Sequence, residues 1–476
     1  MERTVIDLEK TSTCRLQSPI LDDIREHFSV ENKIANFKHL QKRYRFIPKR
    51  KYIITPTGRF DIGVYGQIAK YLTLNGYDVL ATDNVLKEYN PKYDIQKIEE
   101  LKIPLRDYQK ETIIKCYKQG RGISVIATAG GKTLIMASLI HNIMLNKLAK
   151  KVLVITPTLQ LVEQTYSDFI TYGINTQISK WTGTNELKPE CNIIIAGLSI
   201  LQNKNTDLSI LSTFDLILFD ECHNIRRDNQ YNNLFKHFHT PHRFGFTGTM
   251  PEDKLDQWNV IGKIGPILYQ KTSYELRKDH YISPVQVQIL FLKYKTRPVY
   301  SEKNINQPTL QYIEENNFLY NNSYRNEIIK ILCSKLHNNT LLLVDRLEHG
   351  ELLTKLLSTI NKKVYFIRGS VEVDDREQIR QLMESSNDIL CVAISKIFST
   401  GINIKNLHYI IFALIGKAEQ KLIQSIGRGL RLHESKHELI IFDIADNTKY
   451  SYKHLKKRLQ IYENEKIPYK TRKIEE

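Results

Sequence analysis

Along most of the chain, short apolar runs alternate with longer helical stretches. The runs Ile123–Ile126, Val152–Ile155, Ile193–Ala196, Leu216–Phe219 and Phe244–Phe246 each end in a polar or glycine-rich turn. Continuous apolar strands separated by helical segments are the pattern of a parallel sheet covered on both faces. A second series follows at Thr340–Val344, Lys363–Ile367, Ile389–Ala393, Tyr409–Ala413 and Glu438–Phe442. It shares the alternation and spacing of the first without evident sequence identity. The pattern predicts an α/β protein with two parallel-sheet lobes in tandem.

Ahead of the lobes, residues 1–97 read as a small α+β domain. A turn signal at Pro56-Thr57-Gly58 falls between two strand-like runs, and a helix is expected near Tyr65. The segment "YNPKYDIQKIEELKIP" reads as a linker into the first lobe. The expected boundaries are 1–97, 98–282 for the first lobe, 283–450 for the second, and 451–476 for a charged, solvated helix and tail. Between the lobes, Lys293 to Asn322 is polar and irregular and reads as a connector or a surface insertion.

Composition narrows the class. The 476 residues suffice for about three domains. No apolar run approaches the roughly 20 residues that span a bilayer, and "MERTVIDLEK" lacks the apolar core of a signal peptide. Six cysteines without a C-x-x-C pair argue against a disulfide framework or zinc site and suit a reducing cytoplasm. Charge adds a partner. Lys and Arg number 69 against 52 Asp and Glu, a net +17, which favours a polyanion such as nucleic acid over a merely lysine-rich surface. The basic, aromatic centre of the front domain is the first candidate, through Lys42, Arg43, Arg45, Lys49, Arg50 and Lys51. Strand alternation puts Arg43 and Arg45 on one face and Tyr44 and Phe46 on the other, leaving the aromatics open between base stacking and the domain core.

The chemistry sits at strand ends. "SVIATAGGKTLIMASLI" (124–140) has the strand, loop and helix grammar of a phosphate cradle, with Thr128, Ala129, Gly130 and Gly131 in the loop and Lys132-Thr133 opening the helix. Ile126 stands where the strict phosphate-loop signature has glycine, so a plain Gly-Gly turn competes with this reading. The run "FDLILFDECHNI" lowers that alternative. It ends an apolar strand in Asp220, suited with Thr133 to hold Mg²⁺, and Glu221, suited to activate a water. In "QSIGRGLR", Gln424, Arg428 and Arg431 fall on an expected helix start. The i, i+3 arginines share a face, as arginine fingers or as a solvated pair; Gly427 and Gly429 favour a close backbone approach.

Seven segments then occur in order: "LRDYQ" (105–109), "ATAGGKT" (127–133), "TPTLQLVEQ" (156–164), "DECH" (220–223), "TGT" (247–249), "STGIN" (399–403) and "QSIGRGLR" (424–431). This series resembles the motifs of the superfamily 2 helicases and covers residues 105–431. The resemblance implies two RecA-like lobes with ATP in the cleft between them. Arg106 and Gln109 would serve the nucleotide, Gln109 at the adenine edge; Lys132 would meet the β/γ-phosphates. Thr247, Gly248 and Thr249 would couple ATP to nucleic acid, and Gly401, beside Ser399 and Thr400, would touch both ATP and the strand. Thr156, Pro157, Thr158 and Ser199 would contact the phosphodiester backbone. Ile126, and TGT in place of the commoner SAT, depart from the pattern; loop amides and a small hydroxyl residue still serve.

"RYRFIPKRKYIITPTGRFDIGVYGQIAKYL", "FSTGINIKNLHYIIFA" and "IGRGLRLHESKHELIIFDIAD" are similar to the phage UvsW-type branch-migration helicases. That family implies an ATP- and Mg²⁺-dependent DNA helicase of the host cytoplasm. It would work as a monomer without a membrane, remodelling forks and Holliday junctions and displacing RNA from RNA–DNA hybrids, with 3′ to 5′ polarity. An RNA helicase and the motor subunit of a nuclease complex are the alternatives. A non-catalytic binding protein is disfavoured by intact Lys132, Glu221 and Arg431.

Overall fold

The computed structural model describes residues 3–32, 35, 48–227, 229–301, 304, 306–368, 373–395, 404–413, 433 and 436–476. The chain separates into two compact units, one of Met1–Ile126 and Gly131–Lys271, the other of Ala127–Gly130 and Thr272–Glu476.

The first unit holds a front sheet and a larger parallel one. The front strands are β1 (Arg3–Lys10), β2 (Thr13–Gln17), β3 (Ser29–Glu31), β4 (Arg50–Tyr52), β5 (Arg59–Asp61) and β6 (Asp78–Ala81). They form a mixed sheet in the order β5-β2-β1-β6 and a separate antiparallel pair β3-β4. The expected turn is present: Gly58 adopts φ +78 and donates its N–H to the Thr55 carbonyl, and the expected helix runs Tyr65–Leu74.

The parallel strands are β7 (Gly122–Ile126), β8 (Val152–Thr156), β9 (Ile178–Trp181), β10 (Ile193–Gly197), β11 (Leu216–Asp220), β12 (Arg243–Thr247) and β13 (Ile267–Lys271), in the order β13-β7-β12-β11-β8-β10-β9. The five strands anticipated from continuous apolar runs are buried at every residue. Edge strands β9 and β13 carry polar residues and half-exposed positions, so they lack that signal. Helix Lys132–Leu145 is apolar nearly all round and buried from Leu134 to Ile140, as a helix inside a layered fold must be.

The front region is not a separable module. Its buried Ile6, Phe60, Ile62 and Ile68 join Ile123, Ile155, Val260 and Ile264 in one continuous core. Arg121, fully buried, donates to the carbonyls of Ile264 at 2.8 Å, Glu88 at 3.2 Å and Lys263 at 3.4 Å. Gln67 accepts from the Trp258 indole at 3.0 Å, and Lys263 pairs with Asp61 at 2.8 Å. The "linker" is strapped down too: Tyr93 stacks on His242, and Glu99 N–H donates to Asn142 Oδ1 at 2.7 Å. Polar composition read as a linker here serves hydrogen bonds to a lobe surface.

The second unit contains β14 (Val285–Lys293), β15 (Thr340–Val344), β16 (Lys363–Ile367), β17 (Ile389–Ile394), β18 (Tyr409–Phe412), β19 (Leu439–Asp446) and β20 (Tyr469–Glu475). These make a second all-parallel, seven-stranded sheet in the order β16-β17-β15-β18-β19-β14-β20. Two RecA-like lobes in tandem are therefore present, behind a small α+β region.

Two expectations are corrected. The polar connector contains the helix Pro308–Asn321, whose Glu315 is fully buried. Its carboxylate accepts from Thr448 Oγ1 at 2.8 Å, Tyr450 N at 2.9 Å and Ser451 N at 2.8 Å, satisfying the free N–H groups at the start of helix Lys449–Asn464. The segment looked irregular because Gln311, Glu315 and Asn316 stand at core-facing positions beside Leu319 and Tyr320. The solvated tail is likewise part of the fold, since β20 pairs along β14 from Tyr469 to Glu475. Its exposed edge residues hide it from a hydrophobic pattern.

Candidate active site

Three neighbouring strands of the first lobe, β7, β12 and β11, carry the ATP-type motifs at their carboxyl ends, where ligands of parallel sheets collect. After β7 the backbone turns left-handed at Ala129 (φ +67) and Gly131 (φ +74), and Gly131 precedes the helix that Lys132 and Thr133 open. Alternating right- and left-handed residues at a helix start aim successive N–H groups at one point, a ready anion cradle. Thr128, Ala129 and Gly130 lie on that turn, with Gly130 N–H on the Ala127 carbonyl at 3.0 Å.

Gln109 is the third residue of helix Asp107–Gln119 and 2% exposed. Its Oε1 accepts from Arg106 N–H at 2.9 Å. Its Nε2 occupies the space beside Gly131: a Cβ there would lie 2.5 Å from it. The Arg106 guanidinium reaches toward the Tyr108 hydroxyl at 3.5 Å. "LRDYQ" and the loop thus meet through Gln109 and Gly131.

β11 ends in Asp220, and the chain then turns through Glu221 in the left-handed region, φ +47. A non-glycine residue there costs about 1–2 kcal/mol, a strain typical of functional turns. Glu221 Oε1 lies 3.6 Å from Lys132 Nζ, and Oε2 lies 3.2 Å from His223 Nδ1. Burial and the adjacent Glu221 charge push the Asp220 carboxyl up. Burial acts upward on Glu221 as well, but the Lys132 ammonium and His223 overcome it and hold that carboxyl low. One carboxylate is thereby kept ionised against a lysine, while its buried neighbour is left short of positive charge. Hard oxygen donors at Asp220 and Thr133, beside a phosphate cradle, fit Mg²⁺, which takes few protein ligands and completes its shell with phosphate and water.

His223 is the member of this site that the motif reading passed over. Its only signal was its position as the last letter of "DECH". Its Nδ1 is 2.8 Å from Thr247 Oγ1, at the end of β12. Thr247 Oγ1 donates in turn to the Thr249 carbonyl at 2.8 Å, and Gly248 spans the turn between them.

On the far side of β11, β8 and β10 present the expected backbone-contacting residues at the same sheet edge. Thr156 is buried with its hydroxyl on the Thr158 carbonyl at 3.3 Å; Thr158 caps helix Leu159–Tyr172 by accepting from Leu161 N–H, with Pro157 between. Ser199 is exposed on the short helix after β10. In the front region, Arg50 is held by Glu26 at 2.8 Å and Ser29 at 2.7 Å, while Lys49 is exposed and Lys51 half-buried. Lys42, Arg43, Tyr44, Arg45 and Phe46 lie outside the described residues, as do Ser399, Thr400, Gly401, Gln424, Arg428 and Arg431.

Comparison with known proteins agrees with this geometry. Residues 102–252 match the family model "Type III restriction enzyme, res subunit", and residues 323–433 match "Helicase conserved C-terminal domain". The chain is 26% identical to the ATP-dependent DNA helicase uvsW of Enterobacteria phage T4, over 94% of each. It is 23% identical to the DNA 3'-5' translocase XPB2 of Sulfurisphaera tokodaii, over 75% of this chain and 85% of that one. The fold resembles a fragment of a putative HsdR subunit of a type I restriction enzyme from Vibrio vulnificus, with TM-score 0.60 at 16% identity, covering 90% of this chain and 85% of the other. Among the described residues, no helix is long and apolar enough to cross a membrane.

Proposed function

We propose that this chain, a superfamily 2 helicase with UvsW-like features, hydrolyses ATP on its first lobe to remodel branched DNA. The observation that carries the reading is the convergence of Lys132, Glu221, His223 and Thr247 at the carboxyl ends of three adjacent strands. When ATP enters, Lys132 exchanges Glu221 for the β/γ-phosphates, and the loop amides hold their oxygens. Glu221, released from the ammonium, accepts the proton of the attacking water. Thr133 and Asp220 would hold Mg²⁺, which would supply charge neutralisation at the phosphates. Gln109 reads the adenine edge with Arg106 beside it.

Thr156, Pro157, Thr158 and Ser199 face the DNA backbone in this proposal, and Thr247 to Thr249, tied to His223 at the end of β11, passes the state of the nucleotide to them. Similarity to the phage DNA helicase over nearly the whole chain supports DNA as substrate; branched DNA follows from the resemblance to the branch-migration helicases. Arm exchange at a junction replaces each base pair it breaks, so it is nearly neutral, whereas separating a long duplex is not. We assign the work to a monomer in the host cytoplasm. The restriction-subunit family match favours one second reading, the motor of a DNA-cleaving complex.

The test is ATPase of the full chain with single-stranded DNA, four-way junctions, blunt duplex and RNA, alongside a gel assay of junction and duplex processing. Stimulation by DNA and preferential processing of junctions are expected. Equal processing of junction and matched duplex overturns branch remodelling, and stimulation by RNA alone overturns the DNA assignment.

A further inference from the structure

A cleft of about 740 Å³ opens on the second unit at the carboxyl ends of β14 and β20 and just after β19. None of the residues that line it is among those assigned above to ATP or nucleic acid. Four cations line it, Lys293, Arg297, Lys449 and Lys473, and no acidic side chain does. Two are engaged: Lys293 pairs with Glu475 at 2.6 Å, and Lys449 donates to Gln311 Oε1 at 2.9 Å. Arg297 and Lys473 are exposed, and among the described residues neither has a carboxylate within ion-pair distance.

Aromatic rings accompany the charge. Tyr452, on helix Lys449–Asn464, is 46% exposed and meets Phe291 of β14 edge-on, with ring centroids 6.0 Å apart. Lys456 lies 4.8 Å from the centre of the Tyr452 ring. The wall is fixed, because this helix is anchored through Ser451 and Tyr450 to the buried Glu315 carboxylate. Exposed cations lining one cleft with an exposed ring on an anchored helix match a polyanion that also carries flat apolar groups. Those are the two halves of a single-stranded nucleic acid. An acidic peptide would use the cations and leave the ring idle.

We infer that this cleft binds an unpaired nucleic-acid strand, with phosphates on Arg297 and Lys473 and a base stacked on Tyr452. The inference rests on the proposed nucleic-acid motor and adds to it a strand contact on the second unit. The test uses the full chain and a fluorescent oligothymidine, with anisotropy read across a salt series. Arg297→Glu/Lys473→Glu should lower affinity at least tenfold and flatten the log–log salt slope by about 1.4, two phosphates at about 0.7 each. Tyr452→Ala should lower affinity about tenfold with the slope unchanged, since stacking releases no counterion, and Tyr452→Phe should restore it.

Wild-type affinity and slope in both the charge and the Tyr452→Ala variants, with DNA-stimulated ATPase intact, refutes the cleft site and leaves the motor reading standing. Loss of binding to polyglutamate but not to oligothymidine assigns the cleft to an acidic protein and refutes it equally. A wild-type chain that binds no strand and shows no DNA-stimulated ATPase removes the motor reading, and this inference with it.

Discussion

His223 donates its Nδ1 proton to Thr247, across 2.8 Å between the ends of two adjacent strands. The direction follows from the neighbours. Thr247 Oγ1 gives its own hydrogen to the Thr249 carbonyl at 2.8 Å, so toward His223 it accepts. The same Nδ1–H faces Glu221 Oε2 at 3.2 Å. The carboxylate proposed to activate water is therefore oriented by a ring that the "TGT" turn holds in place. Thr247→Val keeps the shape and removes the acceptor. Its turnover is expected to fall about tenfold, the equivalent of one hydrogen bond to a charged group, with KM for ATP within about twofold. Steady-state ATPase at saturating DNA measures both constants; an unchanged kcat rules out this orienting role.

Lys132 and Glu221 separate binding from turnover. Lys132→Ala should abolish hydrolysis because the cation that meets the β/γ-phosphates is gone. Glu221→Gln should bind ATP–Mg²⁺ at least as well as wild type while turnover is lost, since the amide cannot take the water's proton. Equilibrium binding of a fluorescent ATP analogue beside single-turnover hydrolysis distinguishes the two. Near-normal turnover in either variant contradicts the site.

Gly131 is required twice over. Its φ of +74 strains any L residue by about 1–2 kcal/mol, and a Cβ would lie 2.5 Å from Gln109 Nε2. Gly131→Ala should raise KM for ATP about tenfold by displacing both the cradle and Gln109, and should lower the unfolding free energy by about 1–2 kcal/mol. Nucleotide titration and urea unfolding read the two effects separately.

In the basic front stretch, the charge of Arg50 is already used. Because Glu26 engages Arg50, reversing Arg50 should cost stability more than DNA affinity. Lys49→Glu/Lys51→Glu should instead weaken binding to every DNA sequence and flatten its salt dependence, with ATPase in the absence of DNA unchanged. Binding measured from about 50 to 200 mM salt checks this, and an unaltered slope shows a solvated face.

His349 makes the second unit sensitive to acid. It is 2% exposed, donates its Nε2–H to Asn326 Oδ1 at 3.2 Å, and burial with the Arg325 charge pushes it down to about 3. The unfolded chain titrates near 6.5, so between those values the unfolded state binds the extra proton. The stability it supports is complete above pH 6.5 and falls with pH, by up to about 1.4 kcal/mol per unit. Urea unfolding from pH 7.5 to 5 should show this slope, and His349→Gln should flatten it; identical slopes refute the assignment.

Strand runs with every residue buried, such as Val152–Thr156 and Thr340–Val344, were legible because a sheet covered on both faces leaves an unbroken apolar signal. The candidate phosphate loop, the acidic pair and the "TGT" turn were legible as motifs because the chemistry proposed for them needs particular residues at one local spacing. Order along the chain could not say that β12 lies between β7 and β11, which is what brings Thr247 to His223. Nor could it find Glu315, a buried carboxylate inside a polar stretch, since only the helix start 133 residues later explains its burial. The front region looked separable by composition, yet Arg121 and Ile264 draw it into the first lobe's core. Local periodicity records which face of an element is buried. What buries it is a long-range contact that only the tertiary structure decides.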